Sequence, residues 1–233
     1  IAMTASSLYN MCDSIFIGHG VGSMALSGLA LTFPIMNLSA AVGTLVGVGA
    51  STLISVLLGQ KNYDTANKVL GNSVTLNIVT GIIFAALIIA FLDPILYFFG
   101  ASQNTIGYAR EYMFIILLGN VITHLYFGMN AILRVIGLPK KAMGATLFTV
   151  VTNIILDYIF IYLFGWGIGG AATATVISQF MAMIYVFWLA ADKSRVIHLQ
   201  RGIYRLKKKI VSQTFSIGMA PFLMNACSCI IVI

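Results

Sequence analysis

The chain has 233 residues, of which 60% are hydrophobic and only 8% charged, with a formal net charge of +7. A soluble domain carries about 25% charged residues, so a water-soluble globular protein is excluded. The basic excess alone would suit nucleic acid, but the basic residues lie in short connectors between apolar runs, which excludes that partner and leaves the lipid bilayer.

Apolar runs of about 20 residues match a hydrocarbon core about 30 Å thick, and the alternating strands of a membrane barrel are not visible. The expected fold class is therefore an all-α polytopic membrane protein. Seven spans are predicted, at 1–17, 25–58, 66–91, 108–135, 142–164, 169–190 and 210–233. Ile1 is not an initiator, and Ile233 closes inside an apolar run, so the sequence reads as a piece cut within its first and last spans. No signal peptide is recognisable. The second span would be about 50 Å long at 1.5 Å per residue, so it must tilt, bend or project from the bilayer. Gly43, Gly47 and Gly49 are its candidate bend or close-packing points. After the third span, Asp93-Pro94 reads as a helix stop followed by a short helix start.

The connectors fall into two sets. Segments 18–24, 92–105 and 165–168 contain no Lys or Arg. The alternating set carries Lys61 and Lys68, then Arg134, Lys140 and Lys141, then Lys193, Arg195, Arg201, Arg205, Lys207, Lys208 and Lys209. Twelve of the thirteen basic residues thus fall on one side, which the positive-inside rule makes cytoplasmic. The exception, Arg110, adjoins Glu111. Segment 191–209 reads as a basic linker, either lying on anionic headgroups or serving as a topological anchor between two halves of a larger protein. The expected layout is a transmembrane lobe over 1–190, this linker, and the start of a further span at 210–233. Cys12, Cys227 and Cys229 form neither a disulfide framework nor a zinc spacing and read as packing residues.

Two aspartates interrupt the apolar runs. Asp13 lies in the first span and Asp157 in the fifth, where Asn153 precedes it by one helical turn on the same face. A carboxylate at the bilayer centre costs roughly 2.5–3.5 kcal/mol on insertion scales, so such groups face a bundle interior or a wet cavity and handle ions or protons. Asp13, Asp157, Thr173 and Thr175 fall at similar depth on the non-basic side, which permits a shared cluster. Carboxylate, amide and hydroxyl oxygens suit a hard cation, so the candidate coupling ion is Na⁺ or H⁺. His124 lies mid-span, as a proton relay or a satisfied core histidine. Tyr112 and Asn130 are further intramembrane polar groups. Met and Phe side chains either line an adaptable apolar cavity or pack plainly. No phosphate loop, nucleophile motif or metal-ligand spacing appears, so the chain does not read as an enzyme and no bound cofactor is expected.

Tyr9-Asn10-Met11-Cys12-Asp13-Ser14-Ile15-Phe16-Ile17-Gly18 resembles the first-helix pattern of the multidrug and toxic compound extrusion (MATE) transporters. Gly47-Val48-Gly49-Ala50-Ser51 through Leu58-Gly59-Gln60-Lys61 resembles the end of that family's long second helix. Asn130-Ala131-Ile132-Leu133-Arg134 through Gly137-Leu138-Pro139 resembles its fourth-to-fifth helix turn. Asn153-Ile154-Ile155-Leu156-Asp157 and the run from Gly167 to Thr175 complete the match. The resemblance implies twelve helices in two six-helix, pseudo-symmetric lobes. This chain would supply the N-terminal lobe, with Ile217-Gly218-Met219-Ala220-Pro221 opening helix seven. It further implies a DinF-like cation site at Asp13, Asn153, Asp157 and Thr175, with Tyr112 and Asn130 in the supporting network. The implied activity is cation-coupled efflux of amphipathic, drug-like organic cations across the plasma (inner) membrane, by a monomer of the full-length protein. A lipid-linked oligosaccharide flippase of the same architecture is the alternative, and a non-transporting scaffold or receptor is the alternative of a different class.

Overall fold

The computed structural model describes residues 2–193, 195–200 and 202–231, with side chains from 11 to 227 of that range. Ile1, Arg201 and Ile233 lie outside the described residues, as do the side chains of Tyr9, Asn10 and Cys229. The described chain is helical throughout its ordered elements: α1 (Ala2–Gly20), α2 (Ser23–Ala30), α3 (Phe33–Gly59), α4 (Tyr63–Ala90), α5 (Leu92–Phe98), α6 (Ile106–Leu118), α7 (Asn120–Val135), α8 (Pro139–Asp157), a π-helical segment (Tyr158–Leu163), α9 (Gly167–Ala190) and α10 (Lys208–Ile231).

Four stretches are long and apolar enough to cross a membrane: Ser23–Gly59, Tyr63–Ala90, Pro139–Leu163 and Gly167–Ala190. The pair Ile106–Leu118 and Asn120–Val135 makes a fifth if taken as one span, although it is bent by 56°. Seven spans are expected from the sequence, and the two that differ are helices whose described residues do not reach that test. α1 carries Thr4, Ser6, Ser7, Asn10, Asp13 and Ser14, and α10 opens on Lys208 and Lys209.

Two expected continuous helices are broken. The 25–58 run divides at Leu31–Thr32, just before Pro34 at the start of α3, where the ring tolerates a first turn but not a helix interior. The 108–135 run divides at Gly119. A Cβ on Gly119 would lie 2.5 Å from the Val176 side chain, so the missing side chain lets the bend pack against α9. Of the two roles expected for the α3 glycines, bend or close-packing point, the structure shows close packing. A Cβ on Gly47 would stand 2.9 Å from the Gly128 Cα of α7, and one on Gly43 would stand 3.3 Å from the His124 ring. Gly49 faces the Thr214 carbonyl, and Gly218 of α10 faces the Leu45 carbonyl. Small residues on both faces let the two helices approach backbone to backbone, the usual route to helix association in lipid.

α7 touches α3, α4, α8 and α9 and sits at the centre of the bundle, while α1 packs against α2, α8, α9 and the π segment. Buried apolar side chains form two clusters. One gathers Leu57, Leu70, Met129, Leu133, Leu138, Leu189, Ile197 and Ile210 at the end that carries the basic connectors. The other gathers Ile17, Leu29, Leu96, Met113, Leu117 and Ile168 at the opposite end. Val196, His198, Arg205 and Lys207, beyond α9, lie back on α4. Asn67 Nδ2 donates to the Val196 carbonyl at 3.1 Å, and its Oδ1 accepts from the His198 amide at 3.0 Å. Asn72 Nδ2 donates to the Arg205 carbonyl at 3.0 Å, and its Oδ1 accepts from the Lys207 amide at 2.8 Å. At the opposite end Arg110 pairs with Asp93 at 2.5 Å, on the surface.

The α3–α10 contact makes a direct test. Gly218→Leu drives a side chain into the Leu45 carbonyl, and overpacking of this kind costs about 1–3 kcal/mol. Gly59, which has open space around it, accepts alanine with a change within about 0.5 kcal/mol. Unfolding of the purified full-length protein checks both, and an undiminished stability for Gly218→Leu contradicts this packing.

Candidate cation site

Asp157 is the last α-helical residue of α8, directly before the π segment. Asn153 lies one turn earlier on the same face, and both side chains are fully buried, at 0% exposure. The wider turn of the π segment re-aims the chain immediately after the carboxylate, a placement common at functional sites. α9 meets this segment through small residues: a Cβ on Gly170 would stand 3.2 Å from the Phe160 carbonyl. The helix start Gly167-Ile168-Gly169-Gly170-Ala171-Ala172 therefore brings Thr175 close to α8.

Four helices converge on the carboxylate. Asp13 on α1 is 3% exposed, and its carboxyl group is the one that faces Asp157. Tyr112 on α6 is buried within electrostatic reach of both aspartates, with its hydroxyl against Thr175. Asn153 Nδ2 lies 3.4 Å from Thr175 Oγ1. Among the described residues, the Oδ1 of Asn153 and both carboxylate oxygens of Asp157 are buried with no amide, hydroxyl or cationic side chain donating to them, and the Asp13 carboxyl is the group that lies against Asp157. Buried polar groups are ordinarily satisfied, and buried charges are ordinarily paired. A set of oxygen acceptors with no donor supplied is what a cation or a proton would complete.

The structure thus brings together Asp13, Asn153, Asp157, Thr175 and Tyr112. It does not bring Asn130 to them. Asn130 Nδ2 donates to the Ala142 carbonyl at 2.9 Å, and its Oδ1 accepts from Arg134 at 2.8 Å. It ties the end of α7 to the start of α8 at the basic end, so its i,i+4 arginine and the next helix use up the amide. Thr173 donates within its own helix to the Gly169 carbonyl at 2.7 Å.

A second polar group lies between the two apolar clusters. Ser39 donates to Asn120 Oδ1 at 2.5 Å and meets His124 Nε2 at 3.2 Å, and Asn120 Nδ2 donates to the Gly81 carbonyl at 3.0 Å. Thr123 donates to Gln179 across α7 and α9. A cavity of about 310 Å³ opens onto this layer, lined in part by Phe33, Met36, Asn120, Phe127, Thr175 and Gln179. Thr175 touches both the cavity and the carboxylate cluster. His124 and the Met and Phe side chains stand out in the sequence, whereas Ser39, Asn120 and Gln179 do not. Their only signal is that they are uncharged polar residues inside apolar runs.

The MatE family model matches residues 1–159, well over half of the chain. Multidrug export protein MepA of Staphylococcus saprophyticus is 32% identical over 225 residues, covering 97% of this chain and 50% of that protein. Its namesake from Staphylococcus aureus strain NCTC 8325 is equally similar, at 32% with the same coverage. The chain therefore spans about half the length of the curated relatives it matches. Among solved structures, a MATE protein in its bent conformation aligns with a TM-score of 0.89 at 28% identity, covering 95% of this chain and 50% of that one. An inward-facing multidrug resistance MATE transporter of the MOP superfamily aligns with a TM-score of 0.91 at 27% identity, covering 97% and 51%. A helical bundle of this shape, reached from both the sequence and the solved folds, leaves one assignment: the chain belongs to the MatE family, the multidrug and toxic compound extrusion transporters.

Proposed function

We propose that this chain forms the cation-handling lobe of a multidrug efflux antiporter in the plasma membrane. The observation that carries the reading is the meeting of Asp13 and Asp157 in the bundle interior, with Asn153, Thr175 and Tyr112 around them. Two carboxylates in apolar surroundings are costly when both are charged and bare. Na⁺ held by the two carboxylates and the Asn153 oxygen relieves that cost, and so does a proton. A site that accepts either exchanges one for the other.

The same contacts link ion and cargo. Thr175 belongs to the carboxylate cluster and also lines the neighbouring cavity, so an ion that draws Thr175 and Asn153 inward changes the cavity wall. Coupling follows when ion and cargo favour different arrangements of the helices, since a ligand shifts an equilibrium only by its differential affinity. The bend at Gly119 and the π segment after Asp157 are the two elements able to take up such a change. Amphipathic organic cations are the proposed cargo, in keeping with the multidrug export names of the relatives. The basic connectors face the cytoplasm, segment 191–209 links the two lobes, α10 begins the second lobe, and the working unit is the full-length monomer. No chemical conversion of the cargo is involved.

In proteoliposomes of the full-length protein, a Na⁺ or proton gradient drives movement of a fluorescent organic cation, and Asp157→Asn abolishes it. Wild-type protein that is folded yet moves the dye under neither gradient overturns the antiporter and favours the flippase. The geometry also predicts coupling between sites. Asp13→Asn and Asp157→Asn change stability non-additively, by about 0.5–3 kcal/mol in a double-mutant cycle, whereas Asn130→Ala and Asp157→Asn add to within about 0.5 kcal/mol. Denaturation of the four proteins of each cycle reads this out, and an additive aspartate pair contradicts a shared site.

A further inference from the structure

A groove between α8 and α9 has chemistry that neither the carboxylate site nor the polar cavity uses. It is an open groove of about 690 Å³, lined by Gly144, Phe148, Met181, Ile184, Tyr185 and Trp188. The volume lies in the about 300–1,000 Å³ range of small-molecule sites. On α9 the lining residues stand at i, i+3, i+4 and i+7, a single helix face. On α8, Lys140, Gly144 and Phe148 stand at i, i+4 and i+8, so the apolar floor runs straight into the exposed Lys140 and its neighbour Lys141. Tyr185 and Trp188 stack at the same end of the groove, with ring centroids 6.3 Å apart. Tyr and Trp mark the level of the lipid headgroups.

Neither segment 140–148 nor segment 181–190 contains an acidic residue, and neither Lys140 nor Lys141 is in a salt bridge among the described residues. α10, the described helix that continues the chain, packs on α3 and α4 rather than here. We propose that this groove is a binding site for one anionic phospholipid, with an acyl chain along Gly144 and Phe148 and the phosphate between Lys140, Lys141 and Trp188. Charge complementarity at one end selects this occupant over a zwitterionic lipid, and the open apolar groove leading from it takes the acyl chain. The Gly144 position keeps the channel open, because a Cβ there meets nothing within 4 Å. A larger side chain at that position fills lipid space without displacing protein.

Native mass spectrometry of the full-length protein in detergent, titrated with palmitoyl-oleoyl phosphatidylglycerol or the matching phosphatidylcholine, tests the site. Phosphatidylglycerol is expected to give a specific adduct, weakened by about tenfold or more in Lys140→Gln/Lys141→Gln, since each basic residue at the surface contributes several-fold. Gly144→Leu is expected to weaken it as well, while Lys207→Gln/Lys208→Gln, which removes the same charge elsewhere, leaves it unchanged. Equal binding of phosphatidylcholine, an adduct indifferent to Gly144→Leu, or an equal loss in the Lys207/Lys208 variant overturns the proposal. So does a protein dimer that Gly144→Leu disrupts, because a second copy would then be the occupant.

Discussion

The structure is organised around the problem of keeping two carboxylates inside an apolar bundle. Each costs roughly 2.5–3.5 kcal/mol to place at mid-bilayer, and Asp13 and Asp157 lie 144 positions apart in the chain. Bringing them together adds repulsion to that cost unless something positive joins them. The surrounding residues are oxygen-rich: Asn153 presents a carbonyl oxygen that meets no donor among the described residues, and Thr175 and Tyr112 present hydroxyls. The placement is costly for a structural element and useful for an ion site, which is why the functional reading rests on it.

The rest of the bundle keeps that site enclosed. Two apolar clusters close the ends, one under the basic connectors and one at the opposite end. Between them the polar side chains pair across helices, with Ser39, Asn120 and His124 joining α3, α4 and α7. Lipid gives helices no hydrophobic reason to associate, so close packing has to supply the attraction. Gly47 against Gly128 and Gly49 against α10 bring backbones near enough for that. The basic-end backbone is fastened differently, through the amides of Asn67 and Asn72, because its part-buried carbonyls and amides at Val196, His198, Arg205 and Lys207 lie outside any helical ladder and need partners.

Much of this is readable from the residues in order. Hydropathy marks the long helices, the Lys and Arg residues separate the two ends, and Asn153 with Asp157 declares a shared face at i,i+4 spacing. The intervals at which pairing depends on the fold are less accessible. The break at Gly119 is set by Val176, fifty-seven residues later, and the π segment after Asp157 has no signature in Tyr158–Leu163 itself. The resemblance implies Asn130 in the network supporting the ion site, and only the proximity of Ala142 and Arg134 shows its amide engaged elsewhere. The same holds for Ser39 and Asn120. Each is an ordinary intramembrane polar residue until the two are found 2.5 Å apart.

The claim on which the account turns is that Asp13 and Asp157 share one exchangeable positive charge. Infrared difference spectroscopy of the purified full-length protein, recorded as Na⁺ is added at constant pH, addresses it most directly. A shared charge gives loss of a protonated-carboxyl band with a matching gain of carboxylate bands, and the loss of this whole signal in Asp13→Asn/Asp157→Asn. Spectra that do not respond to Na⁺ at any pH where the protein is folded, or a response that survives in the double variant, contradict it.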